Sequence, residues 1–231
     1  MAQPPKRSPD DEIHTFARSL ISAIPVVGGA GAELFSMVIA PPIEKRRDEW
    51  MNDIAERLTR LEELYEEFSV QSLANNEVFI TTVLHATTVA IRTHQVEKLE
   101  MLRNAVLNAA LGIDVEDSIQ LMVLRLVDDL TPWHLKFLKY LDAPRSYGEA
   151  KGIKYPTWSS GGPSSVIEHT FTELKGQRAF YDQLGNELNA RGLISSPRFH
   201  MTMTAGGMFQ SFTTEFGRSF LTFVEDPIAE A

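Results

Sequence analysis

Six histidines, His14, His85, His94, His134, His169 and His200, are the side chains best suited to hold a metal or move a proton. No two of them share one helix face at ligand spacing, and His85 and His94 stand nine residues apart. A lone helical histidine is ordinarily a satisfied polar group. The chain has no cysteine, which excludes disulfides and thiolate metal sites and favours an intracellular location. Nucleotide-loop, dinucleotide, serine-elbow and zinc-helix motifs are all missing. Gly28-Gly29-Ala30-Gly31 has the composition of a phosphate loop, but neither the following Lys-Ser/Thr nor a preceding strand. The sequence therefore predicts no catalytic residue, no metal, no cofactor and no small-molecule substrate.

What remains to do work is a segment and a helix. Between Ser19 and Ile43 the only charge is Glu33, and the run Glu44-Lys45-Arg46-Arg47-Asp48-Glu49 follows at once. A stretch this apolar is either buried by protein or meets a bilayer. Three readings stand: a helical hairpin buried in a bundle, a membrane-active segment stored until activation, or a transmembrane helix. Pro25, the glycines and Glu33 interrupt the roughly 20 apolar residues that spanning requires. Ile24, Val27, Gly28, Gly29, Gly31, Leu34 and Phe35 are its membrane or packing residues. Lys45, Arg46 and Arg47 suit a lipid headgroup layer, but their acidic neighbours cancel them.

The helix expected over Gln177 to Arg191 offers Arg178, Gln183, Asn186 and Arg191 as partner-binding candidates. Asp182 and Glu187 bring its charge to zero. Readers of DNA bring uncompensated Arg and Lys to phosphates, so contact with protein, or self-association, is expected instead. The wider charge balance agrees. The net charge is -9, and residues 1–130 carry 12 Lys and Arg against 21 Asp and Glu, while 131–231 carry ten of each. An acidic first half suits neither nucleic acid nor an anionic membrane as a long-range partner. The step in charge also predicts a domain boundary near Leu130.

The elements that must position these groups are mostly helices. Residues 1–10 are polar and rich in proline, as in a disordered tail. Ile13, Phe16, Leu20 and Ile21 give a helix over 11–23, ended by Pro25. A short apolar helix follows over 32–40, stopped by Pro41-Pro42. From Ile43 to Gln71, Trp50, Ile54, Leu58, Leu61, Leu64, Tyr65 and Phe68 recur every three or four residues as one buried stripe. Glu77 to Leu111 is helical again, with a junction at Thr93-His94-Gln95 and a stop at Gly112. Asp114 caps a helix over 115–130 with Leu121, Leu124 and Leu126 apolar. These segments imply a bundle over 11–130.

Thr131-Pro132 opens a helix whose buried face is Trp133, Phe137, Leu138 and Leu141. A long Gly-, Pro- and Ser-rich loop is expected over 143–165, then helices over 166–174 and 177–191, stopped by Gly176 and Gly192. Leu193-Ile194 and Phe199 to Met203 alternate as strand. Ala205-Gly206-Gly207 reads as a hairpin turn, with Met208 to Phe212 returning. Thr213-Thr214 caps a last helix over 215–224. This order is that of a winged helix, over 131–231. The fold class expected is therefore mainly α: a helical bundle, then a winged-helix-like α+β domain with a small β-hairpin.

Val115-Glu116-Asp117-Ser118-Ile119-Gln120-Leu121-Met122 followed by Leu130-Thr131-Pro132-Trp133-His134-Leu135-Lys136-Phe137-Leu138 resembles the joint of Abi-alpha abortive-infection proteins. Those bacterial proteins join a helical N-terminal half to a winged-helix-like C-terminal half. The Ile24-Pro25-Val26-Val27-Gly28-Gly29 segment is also similar in composition to apolar hairpins of pore-forming and cell-death proteins. The resemblance implies a cytoplasmic, non-enzymatic antiviral defence protein that acts through protein contacts or as an oligomer, and is membrane-associated only on activation. A winged-helix transcription regulator and a structural assembly protein are the alternative expectations.

Overall fold

The computed structural model describes residues 30–112 and 117–228, with side chains described over 42–112 and 121–228. The tail 1–10, the helix expected over 11–23, Ile24, Val27, Gly28, Gly29 and the Asp114 cap lie outside the described residues. The described chain is mainly helical with one two-stranded antiparallel sheet. It divides into two compact units, and the break falls between Asn52 and Asp53.

The first long helix, α1, spans Ala30–Leu64 without interruption. Pro41-Pro42 was expected to end one helix and begin another, and this is corrected: the helix runs through both. The prolines remove the N–H donors that would bond to the Met37 and Val38 carbonyls, and a proline costs about 3 kcal/mol inside a helix. The helix persists because both flanks favour it. Apolar residues precede the prolines, and a charged amphipathic run with the Lys45–Glu49 pair, 3.6 Å apart, follows them. Trp50, Ile54, Leu58 and Leu61 are buried as the spacing predicts. The stripe then stops, because the helix ends at Leu64 and not at Gln71; Leu64 and Tyr65 are exposed and Phe68 is half-buried.

In the unit 53–231, α2 (Glu77–Ala90), α3 (Val96–Ala110) and α4 (Asp117–Asp129) pack on one another. The Asn76 side chain caps α2 by accepting from the Phe79 N–H at 3.0 Å. The junction expected at Thr93-His94-Gln95 is the break between α2 and α3, and Gly112, with φ of 68°, stops α3. Leu124 and Leu126 are buried on α4, but Leu121 is exposed, contrary to its expected place in the apolar face. Arg57 pairs with Asp53 at 3.3 Å and with Glu100 at 2.9 Å, and Arg103 also meets both carboxylates. This network ties the last turns of α1 to α3.

The remaining helices are α5 (Pro132–Asp142), α6 (Pro144–Ala150), α7 (Pro163–Thr170), α8 (Arg178–Ala190) and α9 (Glu215–Val224). Their core is aromatic. Phe137 lies edge-on to Phe199 at 5.6 Å, Tyr140 to Phe171 at 5.2 Å, and Phe199 to Phe212 at 5.4 Å. Burying each such ring stabilises the fold by roughly 1.5–3 kcal/mol. Gly192, with φ of 73°, stops α8, and the Thr214 hydroxyl caps α9 by accepting from the Gly217 N–H at 2.9 Å.

Two expectations for this half are corrected. The loop 143–165 contains α6, and β1 (Ser160–Gly161) and the start of α7 also fall within it. Gly148 disguised α6 in the sequence; a Cβ there would overlap the Tyr155 ring, so glycine is needed for that packing. The hairpin across Ala205-Gly206-Gly207 does not form. β2 (Met203–Thr204) pairs with β1, Ser160 opposite Thr204 and Gly161 opposite Met203. Gly206 has φ of -69°, so it lacks the positive φ of a tight hairpin turn, and residues 207–209 coil into a 3-10 turn that buries Met208. Further from the turn, Ile194 bridges Thr213, and the Ser195 N–H donates to the Phe212 carbonyl at 2.8 Å.

The boundary expected near Leu130 is spanned by direct bonds. From α3, Asn104 Nδ2 donates to the Val224 carbonyl at 3.0 Å. Asn108 Nδ2 donates to the carbonyls of Phe223 and Glu225 at 2.7 and 3.0 Å. Two buried asparagines thus satisfy the carbonyls at the end of α9, which have no partner within that helix.

Candidate functional site

Helix α8 carries three of the partner-binding candidates, Arg178, Gln183 and Asn186, and Arg191 is the residue just past its end. Tyr181, Leu184, Gly185 and Leu188 recur at helical spacing and face the core. Gly185 lets the chain at Pro197 and Phe199 lie against the helix, since a Cβ there would overlap the Phe199 ring. The opposite face places Arg178, Gln183 and Asn186 in solvent, with Arg191 half-buried at the helix end. The four candidates thus lie along one helix and its C-terminal end, without sharing a single face.

The charges of this face are paired along the helix and with two histidines beside it. Arg178 Nε lies 3.4 Å from Asp182, whose other oxygen is 2.8 Å from His200 Nε2. Gln183 Nε2 donates to Glu187 at 2.8 Å. Arg191 donates to the Glu187 carbonyl at 3.2 Å and lies 3.8 Å from its carboxylate. The Gln183 amide, ahead of His134 and Arg191, holds the Glu187 carboxyl below the usual carboxylate range. Both arginines are thus matched by carboxylates on their own helix.

Beneath the face lies a group that sequence reasoning passed over as a lone histidine. His134 is buried at the third position of α5, and its Nδ1 accepts from the Thr131 N–H at 3.2 Å and sits 2.8 Å from the Thr131 hydroxyl. This is a capping box with histidine in place of Glu or Gln. With Nδ1 accepting, the neutral ring carries its proton on Nε2, which lies 3.1 Å from Glu187. Burial pushes the imidazole below its ordinary value, against the pull of Glu187. The hidden signal was Thr131-Pro132 with a polar residue three positions after the cap.

Phe180 was also missed. It is exposed on α8 and stands edge-on to Trp133 at 5.9 Å, an apolar anchor beside the polar residues. On the other side of the helix, the Tyr181 hydroxyl donates to Glu168 at 3.0 Å, and burial pushes its pKa up. The arrangement offers amide hydrogen bonding, paired charges and an aromatic edge. Within this face both arginines are matched by carboxylates, so it gives phosphates no unmatched cation.

Of the apolar candidate segment, Gly31, Leu34 and Phe35 fall on the backbone of α1, and Ile24, Val27, Gly28 and Gly29 lie outside the described residues. Among the described residues no helix is long and apolar enough to cross a membrane. Among them, too, no group of three or more His, Asp and Glu is placed to hold a metal ion. Compared with known protein families, characterised proteins and solved structures, the chain finds no match.

Proposed function

We propose that this chain is a non-enzymatic bacterial defence protein of the abortive-infection type, acting through protein contact or self-association at the exposed face of α8. The observation that carries the contact surface is the pairing of Arg178 with Asp182 and of Arg191 with Glu187, beside exposed Gln183, Asn186 and Phe180. Its residues 131–231 are proposed as a winged-helix-like module. The order α5, α6, β1, α7, α8, β2 and α9, with Ile194 bridged to Thr213, supports that reading. The defence role rests on the resemblance at residues 115–138. Ser19 to Ile43 is the proposed membrane-active segment, supported by its single charge.

Phage challenge tests the whole reading. Bacteria expressing the chain should plate phage less efficiently than controls, by about tenfold or more. Gln183→Arg with Asn186→Arg should restore plating, because two new cations at a protein contact cost several kcal/mol. Unchanged plating with the wild type removes the defence role. Protection that survives the double variant removes α8 as the contact surface.

A further inference from the structure

A second surface in the same unit has the opposite character to α8. Tyr155, Trp158 and Phe209 are half-buried, and His169 is exposed beside them. Tyr155 lies edge-on to Phe209 at 4.9 Å, and Trp158 is perpendicular to His169 at 5.7 Å. Trp158 is 6.1 Å from both Tyr155 and Phe209. The rings are held in place from below. The Tyr155 hydroxyl bonds Thr170 at 2.8 Å, its ring lies against Gly148, and the Lys154 carbonyl lies 3.0 Å from His169 Nε2. A small satellite core would suffice to explain ring packing alone, but it does not explain what lies beside it.

Cations accompany these rings and the chain that carries them. The Arg145 guanidinium lies 4.1 Å from the centre of the Phe209 ring, and Lys151 lies 5.2 Å from that of Tyr147. Arg145, Lys151 and Lys154 are all exposed, and among the described residues none makes an ion pair. Residues 143–158 hold these three cations against one acid, Glu149, in a chain of net charge -9. Half-buried rings beside unmatched cations suit a ligand that is both planar and anionic.

We propose that this patch binds single-stranded nucleic acid. Bases stack on Trp158 and on the Arg145–Phe209 pair, and phosphates meet Arg145, Lys151 and Lys154. A duplex keeps its base faces stacked inside and gains only the phosphate contacts. An acidic peptide gains only the charge. The inference is independent of the defence reading and of α8.

The test is fluorescence anisotropy of a labelled oligothymidylate of about 15 nucleotides, matched to common single-strand site sizes, with the full chain. Saturable binding is expected, with a duplex of the same length at least about tenfold weaker. Trp158→Leu should weaken binding by about tenfold and leave the salt dependence unchanged, as loss of stacking does. Lys151→Gln with Lys154→Gln changes only exposed side chains and should reduce the salt slope by about 1.4 in log K against log salt. If Trp158→Leu does not fold, judged by circular dichroism, the double lysine variant and the duplex comparison decide. No saturable binding, equal binding of duplex, displacement by polyglutamate at matched charge, or double-lysine binding equal to wild type would each overturn the proposal.

Discussion

His134 shows how much one side chain can be asked to do. It completes the cap of α5, and it faces Glu187 and Arg191 from α8 and Lys98 from α3. Burial holds its folded pKa below the ordinary value, so the unfolded chain takes up the proton first as pH falls. Its contribution is therefore complete above the ordinary histidine value of about 6.5 and is lost as pH drops through that value toward the lower folded one. His134→Gln keeps an acceptor for the Thr131 N–H but cannot titrate. Urea midpoints measured near about pH 7 and pH 5 should fall less for this variant than for the wild type. Equal falls would assign the acid sensitivity to other groups. The histidine itself was visible in the sequence, but its role was not. That role needs α8 beside it, and the contact between α5 and α8 spans 53 residues of chain, from His134 to Glu187.

At the scale of elements, α1 carries the sharpest expectation. It runs through Pro41-Pro42, so both prolines act against the helix they occupy. Pro41→Ala with Pro42→Ala should raise helix content at 222 nm and the unfolding midpoint, by up to a few kcal/mol in stability. A lower midpoint would mean that the prolines begin the helix instead of interrupting it. What the sequence made legible here were signals written locally. Asn76, Thr131-Pro132 and Thr214 mark helix starts, Gly112 and Gly192 mark stops, and the stripe from Trp50 to Leu61 marks a buried face. What it concealed depended on tertiary contact. The helix α6 hides behind Gly148, which exists for Tyr155, and Met203-Thr204 finds its partner at Ser160-Gly161 across two helices. Alternation at 199–203 is corrected: residues 199–201 turn and bend, only Met203 of that run is strand, and the strand opposite lies at Ser160-Gly161. The helix α8 was legible because Gly176 and Gly192, both with positive φ, mark its two ends. The aromatic patch was not, since Arg145, Tyr155, His169 and Phe209 come from four separate segments.

For the molecule as a whole, the change in charge and the hydrogen bonds run across each other. The balance changes near Leu130, yet Asn104 and Asn108 reach from α3 to the end of α9. Asn108→Ala would leave buried carbonyls of Phe223 and Glu225 without this donor and should cost about 1–3 kcal/mol. Chemical unfolding should show that loss in one transition across residues 53–231; two transitions would mean that the two sides of Leu130 fold separately. Within that unit two surfaces differ in kind, one with paired charges on α8 and one with unmatched cations around rings. The first carries the central claim, that α8 meets protein and not duplex DNA. Its most direct test is a gel shift with duplex DNA at physiological salt, with wild type beside Asp182→Asn, Glu187→Gln. The wild type should retain duplex no better than the micromolar range of non-specific binding, and the variant, with Arg178 and Arg191 released, should bind more tightly. Sequence-specific retention by the wild type at about 100 nM or below would contradict the claim.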